Sequence, residues 1–121
     1  MKKKKITPKQ RNEAYIRDVI KAGEQAIRYT RNKNFVDFVS DDYFRNAVER
    51  ALEILGEAVK NLSPETKAEF PFIEWQEISR FRDKLAHHYW AIDHTVVWGI
   101  VKGPQLVELI DTLKGKLGEQ E

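Results

Sequence analysis

Apolar residues along this chain recur at steps of three and four, and no stretch alternates at steps of two, so the pattern predicts helices throughout. Thr7-Pro8-Lys9-Gln10 reads as a helix start, with Thr7 as N-cap, Pro8 at the first helical position and Gln10 closing a capping box. Behind it Ile16, Val19, Ile20, Gly23, Ala26, Ile27 and Thr30 share one face, and the pattern fades in the polar connection "TRNKNF". Asp41 or Asp42 caps a second helix with the stripe Phe44, Ala47, Val48, Ala51, Leu55, Ala58, Val59 and Leu62. Glu49, Arg50, Glu53, Glu57 and Lys60 fall opposite that stripe, and Asn61 with Ser63-Pro64 ends it, Ser63 to Thr66 capping one short turn. A third helix is expected from about Ile73 to Tyr89, carried inward by Trp75, Ile78, Phe81, Leu85 and Tyr89. Asp93 caps a further segment, and Gly103-Pro104 breaks it before a last helix ending near Leu117. With no repeat and no long linker, the expectation is one all-α domain over residues 1–121, a four- to five-helix bundle.

Length and composition narrow this little. At 121 residues there is material for one core, and 33% charged residues describe a charge-rich globular chain. The absence of cysteine excludes disulfides and thiolate metal sites and fits a reducing compartment. No apolar run approaches the roughly 18 residues that span a bilayer, so no membrane contact is expected. The start "MKKKKITPKQ" lacks the hydrophobic stretch of a signal peptide, which points to the cytoplasm. The net charge of +2 is unevenly spread: residues 1–40 hold 11 Lys/Arg against 4 Asp/Glu, and residues 41–121 hold 10 against 15. The basic N-terminal part suits a polyanion such as RNA, while residues 1–6 by themselves read as a flexible, solvated basic tail.

The chemistry concentrates in "RFRDKLAHHYW", residues 80–90. Phosphate-cradling glycine loops and the serine elbow are missing. A metal site from His87, Asp93 and His94 is conceivable only if the helix ends near Trp90. No H-x-x-x-H or E-x-x-H pair supports it, so neither metal nor cofactor is expected. At about 100° per residue, Arg82 and Tyr89 fall within about 20° of each other, and Asp83 and His87 form an i, i+4 pair in which the carboxylate can orient the imidazole. Arg82 and His87 are about 140° apart, too far to aim at one phosphate from one straight helix. Either the helix deforms, or two copies of the motif face each other across a homodimer, a choice to which the aromatics Trp75, Phe81, Trp90 and Trp98 add an apolar surface. A histidine that moves a ribose 2′-hydroxyl proton, with a guanidinium stabilising charge on phosphate, is the equipment for metal-independent RNA cleavage. The same residues can instead cap neighbours or hydrogen-bond at a subunit contact, and residue chemistry leaves both readings open.

"RDKLAHHYW" matches R-[ND]-x-x-x-H-x-Y, and in this it resembles HEPN domains, in particular the HepT-like toxins of prokaryotic toxin–antitoxin pairs. "ALEILGEAVKNLSPE", "FPFIEWQEISRFRDKL" and "YWAIDHTVVWGIV" are similar to the segments around that motif, so the resemblance runs from about Asp18 to Leu113. Asp83 departs from the commoner asparagine, and His88 occupies the variable position. The resemblance implies a HEPN-like helical homodimer that cuts RNA, with Arg82 on phosphate, His87 moving the proton and Asp83 orienting His87. It also implies an antitoxin partner, a small nucleotidyltransferase that adenylylates Tyr89. The alternative is a non-catalytic helical binding partner of such a nucleotidyltransferase, and beyond it a purely structural helical module.

Overall fold

The computed structural model describes residues 5–118, with the side chain of Tyr89 outside that description. Among the described residues there are seven α-helices and no strand. They are α1 (Pro8–Tyr29), α2 (Phe35–Ser40), α3 (Asp42–Lys60), α4 (Pro64–Glu69), α5 (Trp75–His87), α6 (His94–Lys102) and α7 (Pro104–Leu117), with a 3₁₀ turn at Tyr89–Ala91 before α6. Of the expected basic tail, residues 1–4 lie outside the described residues, while Lys5 and Ile6 are exposed. None of these helices is long and apolar enough to cross a membrane.

The all-α expectation holds and the helix number rises, because α2 and α4 have six residues each, too short to show a helical period. α2 starts inside the stretch expected to be a polar connection. Asn34 accepts from the Asp37 amide and Asp37 Oδ2 from the Asn34 amide, a reciprocal cap that nucleates so short a helix. Its Phe38 is completely buried, which removes a whole aromatic side chain from water and stabilises by about 1.5–3 kcal/mol. The caps at Thr7, Asp41, Ser63 and Asp93 form as the sequence indicates.

α1 and α3 are the two long central helices, joined by Ile16, Val19, Ile20 and Ala26 against Val48, Leu52, Leu55 and Val59. α7 closes one side through Leu109, Ile110 and Leu113, with Ile110 against Gly23 of α1. At one end Asn12 of α1 bonds both the amide of Ser63 and the hydroxyl of Thr66. At the other, Lys102 Nζ donates to the Thr30 carbonyl at 2.6 Å.

α5 is held differently. It lies on α3, its N-cap Glu74 makes no side-chain capping bond, and Leu85 is its one fully buried residue. Trp75, Ile78 and Phe81 are half-buried, with the Trp75 indole N–H donating to the carbonyls of Lys67 and Phe70. Between α5 and α7 runs an apolar groove of about 450 Å³, floored by Leu52 and Leu55 and edged by Phe81 and Leu106.

Candidate active site

α5 ends at His87, two residues earlier than the sequence pattern predicts, because His88 leaves helical geometry at φ −134° and ψ 41°. Tyr89 therefore belongs to the 3₁₀ turn that follows, and the alignment of Arg82 with Tyr89 on one continuous helix does not survive. His87 is the last helical residue and is exposed. Arg82 and His87 share a single regular helix, so its pitch keeps them on different sides of it.

Arg82 is the most enclosed charge of the motif, with its side chain 19% exposed. One guanidinium nitrogen forms an ion pair with Glu57 Oε2 at 2.8 Å and another donates to Asp83 Oδ1 at 3.2 Å, while Nε is buried without a partner. Glu57 comes from α3, as does Lys60, whose ammonium reaches Asp83 Oδ1 at 2.9 Å. Two carboxylates thus hold the guanidinium at the α3–α5 contact, leaving it ionic partners that an incoming phosphate can replace. The backbone makes this possible at Gly56, where an added Cβ would lie 2.3 Å from the Arg82 Cβ. Only a residue without a side chain lets α5 rest on α3 at this level.

Asp83 was expected to orient His87. Its carboxylate instead accepts from Lys60 and Arg82, and among the described residues no hydrogen bond joins it to His87. Those two bonds, first from Lys60 and then from Arg82, hold the Asp83 carboxyl below the usual carboxylate range. The position of Asp83 fits it to aim Arg82. Glu57, Lys60 and Gly56 were missed as site residues, the two charges having been assigned to a solvent face. The available signal was Gly56 itself, a glycine inside a strongly patterned helix, where it costs about 1 kcal/mol against alanine.

The other histidines go elsewhere. His88 stacks edge-on to Trp90, ring centres 5.3 Å apart. His94, at the start of α6, lies edge-on to Phe38, and its Nδ1 faces Glu49 Oε2 at 4.0 Å, both atoms buried and without a hydrogen bond. Burial pushes the Glu49 carboxyl up, against the opposing pull of His94 and Arg45. No three His, Asp or Glu side chains converge on a metal-sized position among the described residues. Of the aromatics expected at a subunit surface, Trp75, Phe81 and Trp98 are packed on the core, Trp98 with its ring 5.2 Å from Phe38. Trp90 remains 72% exposed.

Comparison with known proteins agrees with the motif. The family described as "Ribonuclease HepT-like" matches residues 19–114. A protein of Thermococcus cleftensis named "Probable ribonuclease HepT" is 43% identical, over 89% of this chain and 94% of its own. One of Methanocaldococcus jannaschii named "Putative RNase MJ0127" is 36% identical, over 94% of this chain and 97% of its own. No solved structure matches. A match over residues 19–114, with relatives this similar along nearly their whole length, places the chain in the HepT-like ribonuclease family.

Proposed function

We propose that this chain is a metal-independent RNA endonuclease, the toxin of a toxin–antitoxin pair, acting through a cleft that two copies of α5 build in a homodimer. Membership of a ribonuclease family supports the activity. The observation that carries the site is Arg82, a mostly enclosed guanidinium set over Gly56 and held by exchangeable carboxylates, five residues before an exposed histidine. Arg82 binds the scissile phosphate in place of Glu57 and stabilises the charge that grows on it. His87 takes the 2′-hydroxyl proton, and the freed oxygen attacks phosphorus. The new bond closes a 2′,3′-cyclic phosphate, and the bond to the 5′-oxygen breaks. That oxygen leaves with the same proton, relayed to it from the His87 imidazolium through water. Because Arg82 and His87 point to different sides of one helix, each copy supplies what the other lacks.

In the same reading the partner nucleotidyltransferase moves AMP from ATP to the Tyr89 hydroxyl, releasing pyrophosphate. The adenylate brings a bulky anion to the turn next to His87, where it obstructs the RNA and competes for Arg82. The closed Arg82–Glu57 and Arg82–Asp83 pairs favour a second reading, a non-catalytic partner of the nucleotidyltransferase.

One experiment separates them. The purified protein cuts RNA in EDTA, and Arg82→Ala and His87→Ala each lower the rate by about 10²–10⁴-fold, the usual worth of a proton-transfer residue. His94→Ala, in its aromatic box, leaves the rate unchanged. Mixing the Arg82→Ala and His87→Ala proteins restores cleavage, because a mixed dimer holds one intact Arg82 facing one intact His87. Mixing that restores nothing refutes the shared cleft, EDTA inhibition reversed by a divalent ion refutes the mechanism, and unchanged cleavage by both variants refutes the site.

A further inference from the structure

Beside Arg82, between α1 and α3, lies a concavity of about 190 Å³ of mixed polar and apolar lining, walled by Tyr15 and Asp18 on one side and Glu53, Ile54, Glu57 and Asn61 on the other. We propose that this concavity seats the base next to the scissile phosphate and selects guanine, whose N1–H and exocyclic amine donate to the Glu53 carboxylate. The inference rests on the reading of Arg82 as the phosphate anchor, since Arg82 forms part of the same wall.

Size comes first. Pockets for drug-sized ligands begin near about 300 Å³, so this one has room for a single planar ring system. Charge comes second. Asp18, Glu53 and Glu57 outnumber the two guanidiniums of Arg50 and Arg82, which disfavours a second phosphate in the concavity and suits a neutral base with a donor edge. Hydrogen-bonding capacity then picks the carboxylate. Glu57 is paired with Arg82 at 2.8 Å and, once a phosphate takes Arg82, lies beside that anion, whereas Glu53 stands one turn away and among the described residues pairs with Arg50 alone, at 3.4 Å, the far limit of a hydrogen bond.

An ionised carboxylate only accepts, so it reads donors. Guanine is the one RNA base with two neighbouring N–H donors on its Watson–Crick edge. Uracil sets one donor between two carbonyls that the carboxylate repels, and adenine and cytosine each offer one amine beside a ring acceptor. Asn61, its amide fixed by donation from Nδ2 to the Glu57 carbonyl, keeps Oδ1 as a further acceptor. Tyr15 is half-buried against the core, a rigid ring of the kind on which unpaired RNA bases stack.

The test uses the full-length protein and 2′-O-methyl uridine pentamers with one central guanosine, inosine or uridine, which bind but cannot be cut. Fluorescence anisotropy is expected to show the guanosine pentamer binding about tenfold tighter than the inosine one, which lacks the exocyclic amine, and tighter still than the uridine one. Glu53→Gln is expected to erase the guanosine–inosine difference and to keep the thermal transition of the parent. Equal binding of the three pentamers by the parent, or a guanosine preference that persists in Glu53→Gln, overturns the subsite. A preference for guanosine in a protein that cuts no RNA leaves the subsite standing and removes the catalytic reading. Binding to none of the pentamers refutes both.

Discussion

Replacing Gly56 by alanine separates the placement of Arg82 from the stability of the fold. The new methyl carbon would lie 2.3 Å from the Arg82 Cβ, 2.8 Å from its Cγ and 3.4 Å from its Cα. Non-bonded carbons rest at about 3.5–4.0 Å, so about 1.2–1.7 Å of clearance is missing. Rotation of the Arg82 side chain cannot supply it, since Cβ is fixed to the α5 backbone, and α5 has to retreat. Overpacking of this kind costs about 1–3 kcal/mol. Against it, alanine gains about 1 kcal/mol over glycine in a helix interior. The expected net loss is up to about 2 kcal/mol, a Tm lowered by no more than about 10 °C.

Activity responds more steeply, because a misplacement of about 1 Å in a positioned group costs on the order of 10²-fold in rate. The assay pairs cleavage of a fluorogenic RNA with thermal denaturation, and Gly23→Ala serves as the control. There the added carbon meets Ile110 Cδ1 at 2.8 Å and Cγ1 at 2.9 Å and Leu55 Cδ1 at 3.3 Å, side-chain atoms that can turn aside, and no atom of Arg82 is among its nearest neighbours. Gly23→Ala is expected to keep its rate. Full activity in Gly56→Ala refutes the reasoning, and an equal loss of rate in both variants assigns the effect to stability instead.

Glu49→Gln is expected to raise Tm at neutral pH. Burial lifts the folded-state pKa of Glu49 above its unfolded value, so the stability tied to its neutral form is present below the unfolded pKa and lost as pH rises through the folded one. Glutamine keeps that form at every pH, and its advantage shrinks on acidification; an advantage that grows instead contradicts the burial argument. If the proposed pairing holds, co-expression with an adjacent nucleotidyltransferase is expected to add an adenylate mass to the chain and to silence its toxicity. Tyr89→Phe resists the addition, and intact-mass spectrometry finding the same adduct on that variant refutes the assignment of Tyr89.

Much of this fold was legible because caps and stripes are local. Thr7 with Gln10, Asp41, Ser63 and Asp93 mark the starts of α1, α3, α4 and α6, and the α3 stripe buries Val48, Ala51, Leu55, Ala58 and Val59 as its spacing requires. What the sequence hid depends on contacts between segments. α2 has no period to display, and its Asn34–Asp37 cap is less distinctive than a Ser/Thr–Glu box. The end of α5 was misplaced because Tyr89 and Trp90 continue an apolar rhythm past the point where the backbone turns. Within the site, Arg82, Asp83, His87 and Tyr89 stand out in one short motif. Their partners Glu57 and Lys60 lie 25 and 23 positions upstream of Arg82 and Asp83, on a face that counts as wet when α3 is considered by itself.

The slender anchoring of α5 bears on when the protein is competent at all. One fully buried side chain, no side-chain N-cap and a groove along one flank leave this helix with less to lose on detaching than α1 or α3. Its amides are expected to exchange with solvent through an opening that spares the rest of the bundle, at a smaller free energy than global unfolding, which hydrogen exchange measures. Such an excursion would lift Arg82 off Gly56 and take the proposed phosphate anchor out of place without unfolding the bundle. Temperature and mild denaturant then lower the cutting rate before they dissolve the core, and the gap between the two transitions measures the free energy of this one helix on its seat.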